Sequence, residues 1–120
     1  MELYYRLMGE NNTKPLLILH GLYGSSDNWL NIGKEFAESY KVYLIDLRNH
    51  GNSPHSYKHN YPLMRDDLYE FMKSHDLQKA SILGHSMGGK VAVYFALEYS
   101  ELIDKLIVVD IGPGAYQSLT

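Results

Sequence analysis

Four short apolar runs punctuate the chain: Leu16–Leu19, Val42–Ile45, Ser81–Leu83 and Leu106–Val109. Each is rich in Ile, Leu or Val and ends in turn chemistry, the pattern of strands buried on both faces. Between them apolar residues recur at helical spacing. Trp29, Ile32, Phe36 and Ala37 fall at i, i+3, i+7 and i+8, with Ser26 or Asp27 available as N-cap. Met64, Leu68, Phe71 and Met72 repeat the stripe after Pro62, a residue favoured in a first turn. Val91–Leu97 is apolar all round, which predicts a central helix. The runs begin about 26, 39 and 25 residues apart, the size of strand–helix–strand units. A further strand, Leu3–Met8, precedes them, with Gly9-Glu10-Asn11-Asn12 as its turn. The prediction is an α/β architecture: a mostly parallel sheet with right-handed crossovers and helices on both faces.

Composition narrows the function classes. At 120 residues the chain is sized for one domain, 1–120. Hydrophobic residues at 45% and charged residues at 21% exclude disorder, collagen-like repeats and coiled coil. Lys and Arg number 11 against 14 Asp and Glu, with the signs interspersed, so no basic face marks a nucleic-acid partner. The absence of cysteine removes disulfides, thiolate metal sites and a Cys nucleophile. The longest apolar run, Val91–Leu97, falls far short of the ~18 residues a membrane span needs. Met1-Glu2-Leu3-Tyr4-Tyr5-Arg6 lacks the basic-then-apolar pattern of a secretory signal. The expectation is a soluble cytoplasmic protein without a membrane or nucleic-acid partner.

Ligands in open α/β sheets bind beyond the carboxyl ends of the strands. Those ends read His20-Gly21-Leu22-Tyr23-Gly24, then Asp46-Leu47-Arg48-Asn49-His50-Gly51-Asn52-Ser53-Pro54, then Gly84-His85-Ser86-Met87-Gly88-Gly89, then Asp110-Ile111-Gly112-Pro113-Gly114. The third is G-x-S-x-G between a predicted strand and an apolar helix. In that setting the turn is sharp enough to strain the serine, and the flanking glycines let strand and helix approach without Cβ clashes. Ser86 would stand at the tip as nucleophile, and the Met87 N–H would open the helix, where its dipole favours an oxyanion. The bland alternative is a glycine-rich turn.

Gly84-x-x-x-x-Gly89-Lys90 also overlaps a phosphate-binding loop. Val91, however, stands where that loop needs a Ser or Thr hydroxyl for Mg²⁺. In His20-Gly21-Leu22, a glycine straight after a strand would let the Leu22 N–H act as a second oxyanion donor, unless this is a plain strand-to-helix turn. His20 lies in the turn and not beyond it, which suits a structural hydrogen bond better than a general base.

Together, H-G-L-Y-G-S-S-D-N-W, D-L-R-N-H-G-N-S-P, L-G-H-S-M-G-G-K and V-V-D-I-G-P resemble the α/β-hydrolase superfamily. The Arg-Asn-His-Gly and Gly-Gly-Lys details resemble its small bacterial esterases of the YbfF type. That resemblance implies a Ser-His-Asp esterase or thioesterase acting on short acyl esters, acyl-CoA among them, without cofactor or metal. It implies Ser86 and Asp110 as catalytic residues and the Leu22 and Met87 N–H groups as the oxyanion hole. Most α/β-hydrolases carry the acid one strand later; an Asp in a D-x-x-P setting, as at Asp110, is similar to the YbfF-like arrangement. The alternative for Asp110 is an Asx-turn residue. Asp46, Arg48, His50 and Ser53 resemble the family's structural loop.

A triad also needs an imidazole that takes and returns the serine proton. In the family that base follows the acid, and no histidine follows Asp110 here. His85 adjoins Ser86 on a tight turn, from which neighbouring side chains point apart. His55 and His59 fall in a polar loop and His75 near a helix end, all expected at the solvated surface. The resemblance covers the N-terminal half of the fold, without the last strands and closing helix. It leaves one sheet face to the Trp29–Ala37 segment, and it leaves the Leu106–Val109 edge open to self-association, because Gln117-Ser118-Leu119-Thr120 offers neither cap nor polar tail. The expectation is a truncated chain, inactive alone. Three function classes follow: a serine esterase or thioesterase; another reaction of the same scaffold, such as perhydrolase, lyase or carbon–carbon hydrolase; or a non-catalytic half-domain that pairs with another chain.

Overall fold

The computed structural model describes residues 1–21, 29–56, 60–112 and 115–119, with 110–112 and 115–119 described by their backbone. The expected runs form strands. They are β1 (Tyr5–Met8), β2 (Pro15–Leu19), β3 (Lys41–Ile45), β4 (Ala80–His85) and β5 (Ile103–Gly112), joined by β6 (Ala115–Leu119). The sheet order is β1-β3-β2-β4-β5-β6. The four central strands are parallel, while β1 and β6 run antiparallel at the edges. Strands β2, β3 and β4 are buried through most of their length, which is why they read as unbroken apolar runs; along residues 103–109 of β5 only Val108 is buried.

Helices α1 (Leu30–Phe36), α2 (Tyr61–Ser74) and α3 (Met87–Glu98) cover both faces. Leu16, Ile18, Val42, Leu44 and Leu83 point to the α1 side. Leu17, Leu19, Tyr43, Ile45 and Ile82 point to the side packed by α2 and α3. Successive residues thus feed opposite layers, as the two-residue period of a strand requires.

Helix α2 follows its stripe: Met64, Leu68, Phe71 and Met72 are buried, Pro62 lies in the first turn, and the Asn60 side chain caps Leu63 N–H at 2.9 Å. The same stripe carries a charge the pattern does not foretell. Asp67 is buried with Arg48 from the turn after β3, and the pair is bidentate: Nε to Oδ2 at 2.6 Å and Nη2 to Oδ1 at 2.8 Å.

Several expectations are corrected, in whole or in part. In α1, Ile32 is exposed and Gly33 is the buried residue, because the helix lies so close that a Cβ there would come 3.2 Å from the Leu44 methyls. Its N-cap position is Trp29, without a side-chain bond; Ser26 and Asp27 lie outside the described residues. In α3, Val91, Ala92 and Phe95 are buried, but Leu97 is 82% exposed and Tyr94 faces outward, because packing on the sheet and α2 occupies one side only. The Leu106–Val109 edge is covered in part: β6 pairs with its end, Leu119 opposite Val108 and Ser118 opposite Val109, so the segment expected to offer no cap covers that end, while the pairing among the described residues does not reach Leu106 or Ile107. His75, expected at the surface, is half-buried: it packs on Phe71 (ring centroids 4.2 Å) and edge-on to Tyr5 (4.7 Å), and burial, then Lys41, pushes its pKa down. His55 is exposed as expected, and His59 lies outside the described residues.

Asp67→Ala leaves the Arg48 guanidinium buried without that carboxylate, and should cost about 3–5 kcal/mol in urea unfolding. Asp66→Ala, which breaks the half-exposed Arg65–Asp66 pair, should cost under about 1 kcal/mol. Equal losses would contradict the burial argument.

Candidate active site at the β4–α3 turn

Strand β4 ends at His85 and α3 begins at Met87, so a single residue reverses the chain. That residue, Ser86, sits at φ 55°, ψ −113°, outside the regions an L-residue adopts freely. Such a conformation costs on the order of 1–3 kcal/mol and persists only where its surroundings enforce it. They do so from three directions. Ser86 N–H donates to Val109 O of β5 at 2.9 Å, and Ser86 O accepts the Lys90 N–H at 3.1 Å. On the inner side the contacts leave no room for a side chain. A Cβ on Gly84 would stand 2.5 Å from Gly88 O, and one on Gly88 would run into the carbonyls of Leu19 and His20. The G-x-S-x-G glycines are therefore a packing requirement. The Ser86 side chain makes no capping bond to its helix. The Met87 N–H is among the helix-opening donors without an intrahelical acceptor, at the positive end of the dipole.

The β2 turn lies against this elbow. A Cβ on Gly21 would sit 3.4 Å from Ser86 Cβ and 2.9 Å from His85 Nδ1. His20, 1% exposed, ties the β2 turn to the β3 turn. Its Nε2 accepts the Leu47 N–H at 2.9 Å, which leaves the proton on Nδ1, 2.7 Å from Gly21 O. Burial pushes its pKa down, with a smaller push from His50, whose ring centroid is 5.1 Å away. His20 is thus a structural tether, as its place in the turn suggested. The β3 turn is braced in the same way. Ser53 Oγ donates to Asp46 O and accepts Tyr4 N–H, the Asp46 carboxylate accepts Asn52 N–H at 3.0 Å, and Arg48 reaches Asp67.

Asp110 lies in β5 one residue beyond Val109, the partner of His85 across the sheet, so the register brings its backbone to the level of Ser86. Its side chain, and all of Leu22, lie outside what the structure describes. The phosphate-loop alternative fails on geometry: Gly84 is in β4 and Gly88 to Lys90 are already in α3, leaving no loop to cradle a phosphate. Among the described residues no cluster of three His, Asp or Glu side chains could hold a metal ion, and no helix is long and apolar enough to cross a membrane.

The sequence model of the family described as "alpha/beta hydrolase fold" matches residues 14–118. The chain belongs to this family. Among α/β-hydrolases, a marine microorganism esterase of known structure superposes with a TM-score of 0.90 at 51% identity, over 98% of this chain and 44% of that one. Esterase YbfF of Escherichia coli is 37% identical over 89% of this chain and 42% of its own length. The sn-1-specific diacylglycerol lipase ABHD11 of Danio rerio is 44% identical over 88% and 34%. The chain thus spans less than half the length of these relatives.

The His20 tether has a pH signature. A group whose folded pKa lies below its unfolded value contributes stability that is present above the unfolded value and lost as pH falls through the folded one. Folding stability should therefore decline on acidification below the ordinary histidine value of 6.5. His20→Phe, which strands the Leu47 N–H, should cost about 1–3 kcal/mol at neutral pH and flatten this decline. Urea unfolding of both proteins between neutral and mildly acidic pH checks it; identical slopes would remove His20 as the titrating group.

Proposed function

We propose that the protein carrying this chain is a serine esterase or thioesterase that works through an acyl-enzyme on Ser86. The observation that carries this reading is the backbone of Ser86, held at positive φ at a helix N-terminus. A strained residue type with a nucleophilic oxygen, enforced by glycines on both sides, is what presenting that oxygen to a carbonyl carbon requires. Ser86 Oγ attacks the acyl carbon, and the oxyanion is stabilised by the N–H groups of Met87 and Leu22. Asp110 orients an imidazole that takes the serine proton and returns it to the leaving alcohol or thiol. Water then hydrolyses the acyl-enzyme by the same route.

Three of the described histidines do not suit the base: His20 and His50 are committed to backbone partners, and His75 lies among aromatic rings of β1, β3 and α2. In this reading the base is supplied from outside residues 1–120, which alone should be inactive. The esterase relatives support an ester as the substrate class; short acyl chains and thioesters are part of the proposal. A serine at the elbow is also compatible with carbon–carbon hydrolases, perhydrolases and lyases of this scaffold, which substrate profiling separates.

In a full-length chain carrying these residues, Ser86→Ala should lower p-nitrophenyl ester turnover at least about 10³-fold while leaving the unfolding midpoint near wild type. Asp110→Asn should lower kcat on the order of 10⁴-fold, as expected when a triad acid no longer holds the imidazole tautomer. A fluorophosphonate probe should label wild type and spare Ser86→Ala. Turnover that survives Ser86→Ala would refute the nucleophile, a loss below tenfold in Asp110→Asn would return Asp110 to the turn, and an unlabelled wild type would favour the non-catalytic half-domain.

A further inference from the structure

Beside Ser86 stands an imidazole that this mechanism leaves unused. His85 closes β4 two residues after Leu83 and so faces the layer under α1. Its ring lies between the two ends of the connection from β2 to α1. On one side, the Cβ position of Gly21 is 2.9 Å from Nδ1 and 3.3 Å from Cε1. On the other, the Trp29 ring is centred 5.4 Å away, tilted by 59°. The Nε2 atom is buried and has no hydrogen-bond partner among the described residues. Buried polar atoms are nearly always paired, so an unpaired one calls for an explanation. Contact with Gly21 and Trp29 accounts for the ring's position where hydrogen bonding through Nε2 does not.

We propose that His85 is a positioning residue for acyl transfer: its ring spaces Gly21 from Trp29 and so fixes Gly21 against Ser86. The inference rests on the reading of Ser86 as nucleophile. Gly21 is held from two sides, its carbonyl by His20 and its Cα face by His85. Shrinking the His85 side chain releases the second constraint at the point closest to the Ser86 Cβ. An oxyanion donor that follows Gly21 would then drift relative to the reacting carbonyl. Such a donor acts chiefly in the transition state, so the loss falls on kcat and not on KM.

The test compares His85→Ala, His85→Val and His85→Phe in a full-length chain, with Ser86→Ala as control. Truncation to Ala should lower kcat about ten- to hundredfold, the scale of a misplaced catalytic group, with KM changed less than about threefold. His85→Phe restores the ring without its nitrogens; it should recover kcat to within about threefold of wild type, with an unaltered pH profile and a higher Tm, since the unpaired Nε2 is gone. Should His85→Ala fail to fold, His85→Val supplies the truncation. Wild-type kcat in the truncated variant would overturn the inference, as would a His85→Phe enzyme as slow as His85→Ala or one lacking the acid limb of the profile. Turnover that survives Ser86→Ala would instead sink the nucleophile reading itself.

Discussion

At Ser86 the chain leaves the middle of a parallel sheet and enters a helix within one residue, and everything near it is arranged to make that turn possible. The backbone there, φ 55° and ψ −113°, is not one a serine adopts unaided. It is held by the hydrogen bond to Val109 O and by the approach of α3 to the ends of β2 and β4, so close that Gly84 and Gly88 admit no side chain. The sharp turn has two results at once. It lifts the serine clear of the strand, and it starts the helix, with its unpaired N–H groups and dipole, at the next residue.

The strain has to be supported from the neighbouring turns, and the structure shows how. His20 bridges the β2 and β3 turns through Gly21 O and Leu47 N–H. Arg48 carries the bracing on to α2 through Asp67, while Ser53 ties the same loop to β1 through Tyr4 N–H. The consequence is a row of polar, buried turns at one end of the sheet, set above a core that is almost wholly aliphatic and aromatic. Buried polar groups of this kind are stabilising only when every partner is present.

Much of this was legible in the sequence, because period and spacing encode it. The central strands are the apolar runs, α2 follows its stripe, and the elbow glycines stand where the turn needs them. What escaped was information that belongs to pairs of distant residues. Asp67 falls on a helical stripe whose other members are apolar, and nothing local reveals that its partner lies 19 residues away in another turn. A stripe gives the buried side of α1 but not the depth of contact, so Ile32 was expected where Gly33 is found. The all-apolar stretch of α3 overstated its burial, since Leu97 faces outward. His75 was expected in solvent because its neighbours in sequence are polar, whereas its neighbours in space are the rings of Tyr5, Tyr43 and Phe71.

The account comes down to whether the elbow is built to stabilise charge on an acyl carbonyl oxygen. The most direct measurement is a crystal structure of a full-length chain carrying these residues after reaction with a phosphonate ester, whose tetrahedral phosphorus mimics the acyl-transfer intermediate. The account predicts phosphorus bonded to Ser86 Oγ, with its oxygen about 2.7–3.1 Å from the Met87 N and the Ser86 backbone still at positive φ. An adduct at Ser86 with that oxygen turned away from Met87 N–H, or an adduct on another residue, would contradict it.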